Sequence, residues 1–445
     1  MKSLLEKLRN RRHRPLRSPP SPRDDRRVWL LVTLGLIAGL GLLFWSTSAR
    51  IVGEPIEVSY GPASPIFMDS LGPVLGAEFT GGNRAQLLSN GNEFFPAMLD
   101  AINAATKSTT LETYIWSSGK ISDQFIAALT EKARHGVKVH VLVDGFGAIK
   151  MKDSDQHRLL DAGVQFLMFG REHWYQIKPN VNHRTHRKLL IVDGRVGFTG
   201  GMCIDDDWLG NADAPDRWRE IQIRLEGPVV RQMQAVFAAN WLTTTSRLLV
   251  GPEYFPAEVV PREGSIAQCY KSGPGDSPEN ARISYLMAIA AARKSIRISH
   301  AYFVPDDLAI EMLLAARRRG VQIDVIVPAH NDSRFGRAAS RSRWGELLAS
   351  GVQFHRYKPA MYHPKAMLVD DIFFTIGSVN FDNRSFGIND EVNVNVLDRD
   401  VVRAAQKLFE DDLAHSEPLT LEEFRARPWW QKVIDHFCGL FRSQL

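Results

Sequence analysis

The sequence predicts an α/β protein: two duplicated α/β domains, each a mixed sheet flanked by helices, related by pseudo-twofold symmetry and preceded by one transmembrane helix. Three observations carry this expectation. One segment is written twice, strand-like and helix-like runs alternate in the same order within each copy, and a single long run is apolar and free of charge. With 445 residues and 44% hydrophobic content the chain can bury more than one core. Its three cysteines exclude a disulfide framework.

The apolar run comes first. Residues 1–27 hold ten Lys/Arg and three Asp/Glu, a net charge of +7 in a chain whose total is +5. Everything after position 27 therefore carries −2. Residues 28–49 contain no charged side chain, and a run of this length is what about 30 Å of hydrocarbon requires. Trp29 and Trp45 fall near its ends, and the basic segment before it should stay cytoplasmic. The expectation is a single-pass protein of the cell (inner) membrane, with 1–27 as a cytoplasmic tail and the catalytic body outside. A cleaved signal ending at Thr47-Ser48-Ala49 is the rival, disfavoured because the apolar run exceeds a usual signal core. The GxxxG spacing of Gly35 and Gly39 leaves helix pairing, and so a homodimer, open.

After a linker over 50–82, the first domain is expected over 83–250 and the second over 251–418. AINAATKS (101–108) matches AIAAARKS (288–295), ARHGVKVHVLV (133–143) matches RRRGVQIDVIV (317–327), and LLDAGVQF (159–166) matches LLASGVQF (347–354). Phe95, Met98, Leu99 and Ile102 recur at helical spacing, as do Ile283, Leu286, Met287 and Ala290. Strands that read apolar throughout imply a sheet covered on both faces. The joint lies in the Pro- and Gly-rich segment GPEYFPAEVVPREG (251–264).

The chemistry sits in a fourth matching pair, HRKLLIVDGRVGFTGG (186–201) and HPKAMLVDDIFFTIGS (363–378). In an extended strand, side chains at i and i+2 share a face, so His186 and Lys188 point together, as do His363 and Lys365. No second His, Cys or carboxylate stands nearby at ligand spacing, and an ammonium is a poor neighbour for a metal. Two ammoniums beside two imidazoles suit a phosphate, with one imidazole attacking and the other protonating the departing oxygen. No cofactor is expected.

This pair of HxKx4Dx6G(G/S) motifs resembles the phospholipase D superfamily over about residues 83–415. The extension GSVNFDNRSFGINDE (377–391) and LETYIW (111–116) look like its bacterial cardiolipin synthase branch. The resemblance implies two domains whose motifs meet in one active site. It makes His186 the nucleophile of a phosphohistidine intermediate and His363 the general acid and later base. It makes Lys188 and Lys365 ligands of the phosphoryl oxygens, and Asp193 and Asp370 signature residues that support local structure. Glu220 and Glu391 stand at positions for carboxylates that orient the histidines, without indicating which serves which. Asn380 stands where the family places a phosphate-contacting Asn. The first copy has Cys203 there, a weaker donor, with Asn182 as a candidate substitute.

The implied activity is phosphodiester exchange on phospholipid, joining two phosphatidylglycerol molecules into cardiolipin and glycerol. Phosphatidylethanolamine is a second candidate donor. The alternatives are a phospholipase D-type hydrolase and a nuclease of the same superfamily. The −2 body gives no cationic surface for nucleic acid, which is not expected as a partner. Over 419–445, Thr420-x-x-Glu423 predicts a capped amphipathic helix through about Leu440. Its stripe of Trp430, Val433, Ile434, Phe437 and Phe441 either docks on the domain or lies on anionic lipid.

Overall fold

The computed structural model describes residues 28–35, 52–170, 182–257, 260, 264–275 and 277–444. Of the apolar run 28–49, residues 28–35 are helical and exposed, and the remainder lies outside the described residues. Among the described residues no helix is long and apolar enough to cross a membrane. The basic segment 1–27 also lies outside them.

Residues 52–444 are built on a mixed ladder of fifteen strands. The first half supplies β1 (Thr80–Ser89), β2 (Ser108–Thr113), β3 (Lys138–Asp144), β4 (Gln165–Phe169), β5 (Leu189–Val192), β6 (Val196–Gly200) and β8 (Ile221–Glu226), with the short β7 (Trp218–Arg219) outside the ladder. The second half supplies β9 (Ser265–Ser272), β10 (Ser295–His300), β11 (Gln322–Pro328), β12 (Gln353–Tyr357), β14 (Lys365–Val369), β15 (Phe373–Gly377), β16 (Glu391–Leu397) and β17 (Ser416–Leu419), with β13 (Met361–Tyr362) as the partner of β7. Outward from the middle, one half runs β1-β8-β6-β5-β2-β3-β4 and the other β9-β16-β15-β14-β10-β11-β12-β17. Strands β1 and β9 join the halves through an irregular antiparallel contact.

The central strands are buried because helices cover one face and the other half of the molecule covers the other. Leu111, Val141 and Val143 pack under helices Asn90–Ala104 and Lys120–Arg134. Between the halves, Ile221, Ile223 and Leu225 pack with Val392, Val394 and Val396, together with helix Val229–Thr245. Burial on both faces is what the unbroken apolar strand runs require.

Three segments differ from the simplest reading of the sequence. The stretch 50–82 carries helix Pro65–Leu75, started by the Ser64 hydroxyl and Pro65 and stopped by Gly76 in the left-handed region. Its Phe67, Leu71 and Leu75 pack into the core of the second half. The joint segment folds back on the first half, where the Tyr254 hydroxyl meets His140 Nε2 at 2.7 Å and the Glu253 carbonyl accepts from Ser108. The described residues 419–444 form two α-helices, Leu421–Arg425 and Trp429–Gly439, and a short 3-10 turn, Arg442–Gln444. Thr420 caps the first as the sequence predicts, accepting from the Glu423 N–H at 3.1 Å. Pro428 then interrupts, because it lacks an N–H and disfavours helix in the residue before it.

Candidate active site

Each motif histidine is held by backbone of the opposite half. Thr185 bridges Asp390 in parallel, and the His186 N–H donates to the Asp390 carbonyl at 2.8 Å. In the matching contact β13 pairs with β7, and the His363 N–H donates to the Arg219 carbonyl at 2.9 Å. Asp390 and Arg219 directly precede Glu391 and Glu220. The contacts therefore set each histidine against the carboxylate of the other half.

The side chains complete this crossing. His186 Nδ1 lies 2.9 and 3.0 Å from the two Glu391 oxygens, and His363 Nδ1 lies 2.6 Å from Glu220 Oε2. A carboxylate on Nδ1 steadies the imidazolium when it forms and directs Nε2 away from it; at His363 that Nε2 also lies 2.9 Å from Lys365 Nζ. Lys188 Nζ donates to the His186 carbonyl at 2.6 Å and Lys365 Nζ to the His363 carbonyl at 2.9 Å. Each ammonium thus stays beside its own imidazole, although the motifs do not form the expected strand there: His186 and Lys188 precede β5, and His363 precedes β14, which begins at Lys365.

The two pairs are electrostatically unequal. Burial drives His186 down to about 4, so it stands as a neutral imidazole. Burial also favours protonated Glu391, yet the His186 contact, Lys188 and the Ser378 hydroxyl outweigh it and hold the carboxyl below its ordinary value. Glu220 has less support. Burial pushes it up to about 7, against Lys365 and a hydrogen bond from the Ile221 N–H. His363 is driven well down by burial and then by Lys365, Lys188 and His186, and burial brings Lys365 to about 8. One sequence difference adds a smaller contribution to this inequality. The motif position before the loop is Ser378 in one copy, whose hydroxyl donates to Glu391, and Gly201 in the other, where a Cβ would sit 2.4 Å from Glu220 Oε2.

The signature aspartates are turn residues. Asp193 and Asp370 adopt φ of 53° and 55°, a left-handed conformation that Asp tolerates better than most residues. The Asp193 carboxylate accepts the backbone N–H groups of Thr106, Lys107 and Ser108, and Asp370 those of Arg293, Lys294 and Ser295. They tie each motif loop to the start of the central strand.

His186, Lys188 and His363 open onto one cavity of about 290 Å³ that Cys203 and Asn380 also line. The Cys203 sulfur accepts weakly from the Ile115 N–H, and the Asn380 N–H is held by Ser385. Asn182 is engaged elsewhere, through Gln444 and Arg384 at the rim. Several residues here carried no signal in the repeat. Trp208 and Trp218 flank the His363 ring with centroids at 5.4 and 4.8 Å, and Tyr114 meets the His186 ring at 5.2 Å. Arg187, the middle residue of the first His-x-Lys, turns away and donates to the Glu391 and Val236 carbonyls. Arg219 forms a buried ion pair with Asp412 at 2.7 Å, fixing the strand that delivers Glu220. Arg184, Arg384, Tyr302 and Asp332 line the mouth. A larger cleft of about 640 Å³, along Pro73–Glu78 and Gln232–Val236, contains no histidine.

Comparison with known proteins gives the family of both halves. The family model described as cardiolipin synthase, PLD-like domain, matches residues 98–241 and 285–413, one match on each half. Cardiolipin synthase 2 of Bacillus anthracis is 34% identical over 350 residues, covering 78% of this chain and 68% of that protein. Cardiolipin synthase A of Pseudomonas fluorescens is 34% identical over 343 residues, covering 77% and 71%. Among solved structures, phosphatidylserine synthase of Haemophilus influenzae aligns with a TM-score of 0.61 at 15% identity, over 85% of this chain and 100% of that one, a likeness of fold. With a family match over both halves and relatives of one kind along most of its length, the chain belongs to the cardiolipin synthase family of phospholipase D-like proteins.

Proposed function

We propose that the protein is a membrane-anchored phosphatidyltransferase that joins two phosphatidylglycerol molecules into cardiolipin and glycerol. The observation that carries this reading is the convergence of both motif histidines and Lys188 on one cavity, with Lys365 against the His363 ring and each histidine anchored by a carboxylate of the other half. Neutral His186 attacks the donor phosphorus through Nε2, the bond from phosphorus to the glycerol oxygen breaks, and His363 gives that oxygen its proton. A hydroxyl of the second phosphatidylglycerol then passes its proton to His363 and attacks phosphorus, and the P–N bond breaks to restore His186. Lys188 and Lys365 offset the charge on the phosphoryl oxygens. The raised Glu220 supports the acid role of His363, and the lowered Glu391 supports an unprotonated His186 Nε2, following the rule that groups pushed apart in pKa divide the acid and base work.

The anchor belongs to the same proposal: 28–49 spans the bilayer, 1–27 stays cytoplasmic, and the duplicated pair of domains meets its lipid outside. Expression in cells lacking cardiolipin, followed by lipid profiling, tests the activity. Cardiolipin should appear at the expense of phosphatidylglycerol. No cardiolipin would overturn the reading, and phosphatidic acid in its place would mark a hydrolase.

The pH profile follows from the same groups. Down to about pH 4 His186 keeps its lone pair, so kcat/KM should stay level across the acidic range. Above about 7 the Glu220–His363 pair loses its spare proton, and above about 8 Lys365 loses its charge. Both losses remove what the transition state needs, so kcat/KM should fall with a limb between about 7 and 8. Bound phosphate favours the ammonium, so the limb in kcat should move to higher pH. An acid limb near 6.5, the ordinary histidine value, would contradict the buried neutral His186.

A further inference from the structure

The helix Trp429–Gly439 is docked the wrong way round for a soluble protein. Its small and polar face turns inward: Cys438 packs on Ala338 and Ala339, Gly439 lies close to Ser342, and the buried Asp435 is clamped by Arg341 and Arg427. Its apolar face turns outward, with Trp429 76%, Val433 57% and Phe437 57% exposed, and Trp430, Ile434 and Phe441 alongside. An amphipathic helix ordinarily buries that stripe against its own core.

The position of this face identifies what covers it. Directly after the helix, the Arg442 carbonyl accepts from Asn383, and Gln444 accepts from the Asn182 amide, whose oxygen in turn holds Arg384 at the mouth of the cavity. The stripe continues into Phe335, whose ring lies 6.0 Å from that of Phe441. Phe146 and Ile149 are also exposed, and Arg184, which lines the cavity, lies over the Phe146 ring. The exposed Arg334 and Lys432 flank the helix face. Exposed apolar side chains linked through Arg384 and Arg184 to one polar cavity, two tryptophans at the helix start and nearby cations match the interface of an anionic bilayer.

We propose that helix Trp429–Gly439, with Phe335, Phe146 and Ile149, is a membrane-docking surface that seats the mouth of the active site on anionic phospholipid, independently of any anchor over 28–49. This deepens the reading that the substrate is a phospholipid and rests on it. The full chain carrying Phe437→Cys, labelled with an environment-sensitive fluorophore, should shift to the blue on phosphatidylglycerol vesicles and be quenched by brominated acyl chains, with less of both on uncharged phosphatidylcholine. The variant Trp430→Glu/Phe437→Glu should lose at least about tenfold of its rate on vesicles while its rate on dispersed short-chain phosphatidylglycerol is unchanged. A label that stays wet on vesicles overturns the proposal. So does a concentration-dependent dimer that the double variant abolishes, since a second copy would then cover the face. If the wild-type chain does not turn over the short-chain lipid, the functional reading fails, while the quenching still decides the docking.

Discussion

His186→Ala should leave no measurable transfer from phosphatidylglycerol, and no covalent lipid on the enzyme. In the proposed mechanism every turnover passes through a bond from His186 Nε2 to phosphorus, and removal of a nucleophile of this kind costs on the order of 10⁴ to 10⁶ in rate. His363→Ala should be as inactive on phosphatidylglycerol, because glycerol cannot leave without a proton. The two variants separate on a donor whose leaving group needs no acid, such as a phosphatidyl nitrophenol ester. There His363→Ala should release a burst of about one equivalent of nitrophenol and then stall, since the second alcohol lacks its base. His186→Ala should give no burst. The opposite assignment of bursts would exchange the two roles. The expectation rests on the unequal surroundings of the imidazoles: Glu391 is held down by its contact with His186 and then by Lys188 and Ser378, whereas burial leaves Glu220 near neutrality.

How much of this was legible beforehand depended on whether a feature was local. The paired motifs and the repeat register lie within short segments, so His186, Lys188, His363 and Lys365 could be named, although the strands expected to carry the His–Lys pairs begin only at Leu189 and Lys365. Asp193 and Asp370 were legible as supporting residues, and each carboxylate ties down the loop before a central strand. The crossing of Glu391 to His186 was hidden because it depends on how two sheets pack, some 205 residues apart in the chain. Trp208 and Trp218 occur only in the first copy and had no repeat partner to mark them. Strand β16 misleads in another way. EVNVNVL alternates as a half-exposed strand does, yet all seven residues are buried, with Asn393 bonded to Thr375 and Asn395 to Gln268 and Ser284. Alternation reports two unlike faces, and here the asparagine amides of the polar face donate to partners inside the protein. The C-terminal stripe was visible as a period, but its outward orientation follows from Asp435 and Gly439, which anchor the opposite face.

Glu391→Gln and Glu220→Gln should fail at different steps, and the crossing fixes which. A glutamine amide facing His186 Nδ1 turns that nitrogen into an acceptor and moves the proton to Nε2, which blocks attack. A wrong tautomer of this kind costs on the order of 10⁴ in a hydrolytic triad. Glu391→Gln should therefore lose about 10² to 10⁴ on phosphatidylglycerol and on the nitrophenol donor alike, resembling His186→Ala. Glu220→Gln removes the group that keeps a spare proton beside His363, so the loss on phosphatidylglycerol should be about 10² or more while the nitrophenol burst survives. If each carboxylate instead served the histidine of its own half, the two variants would exchange phenotypes, and Glu220→Gln would lose the burst. Contacts of 2.9 and 3.0 Å for the first pair and 2.6 Å for the second leave each imidazole bonded to the carboxylate across the interface. Neither half holds both members of a pair, so a phosphate meets a complete nucleophile and a complete acid only where the two halves join.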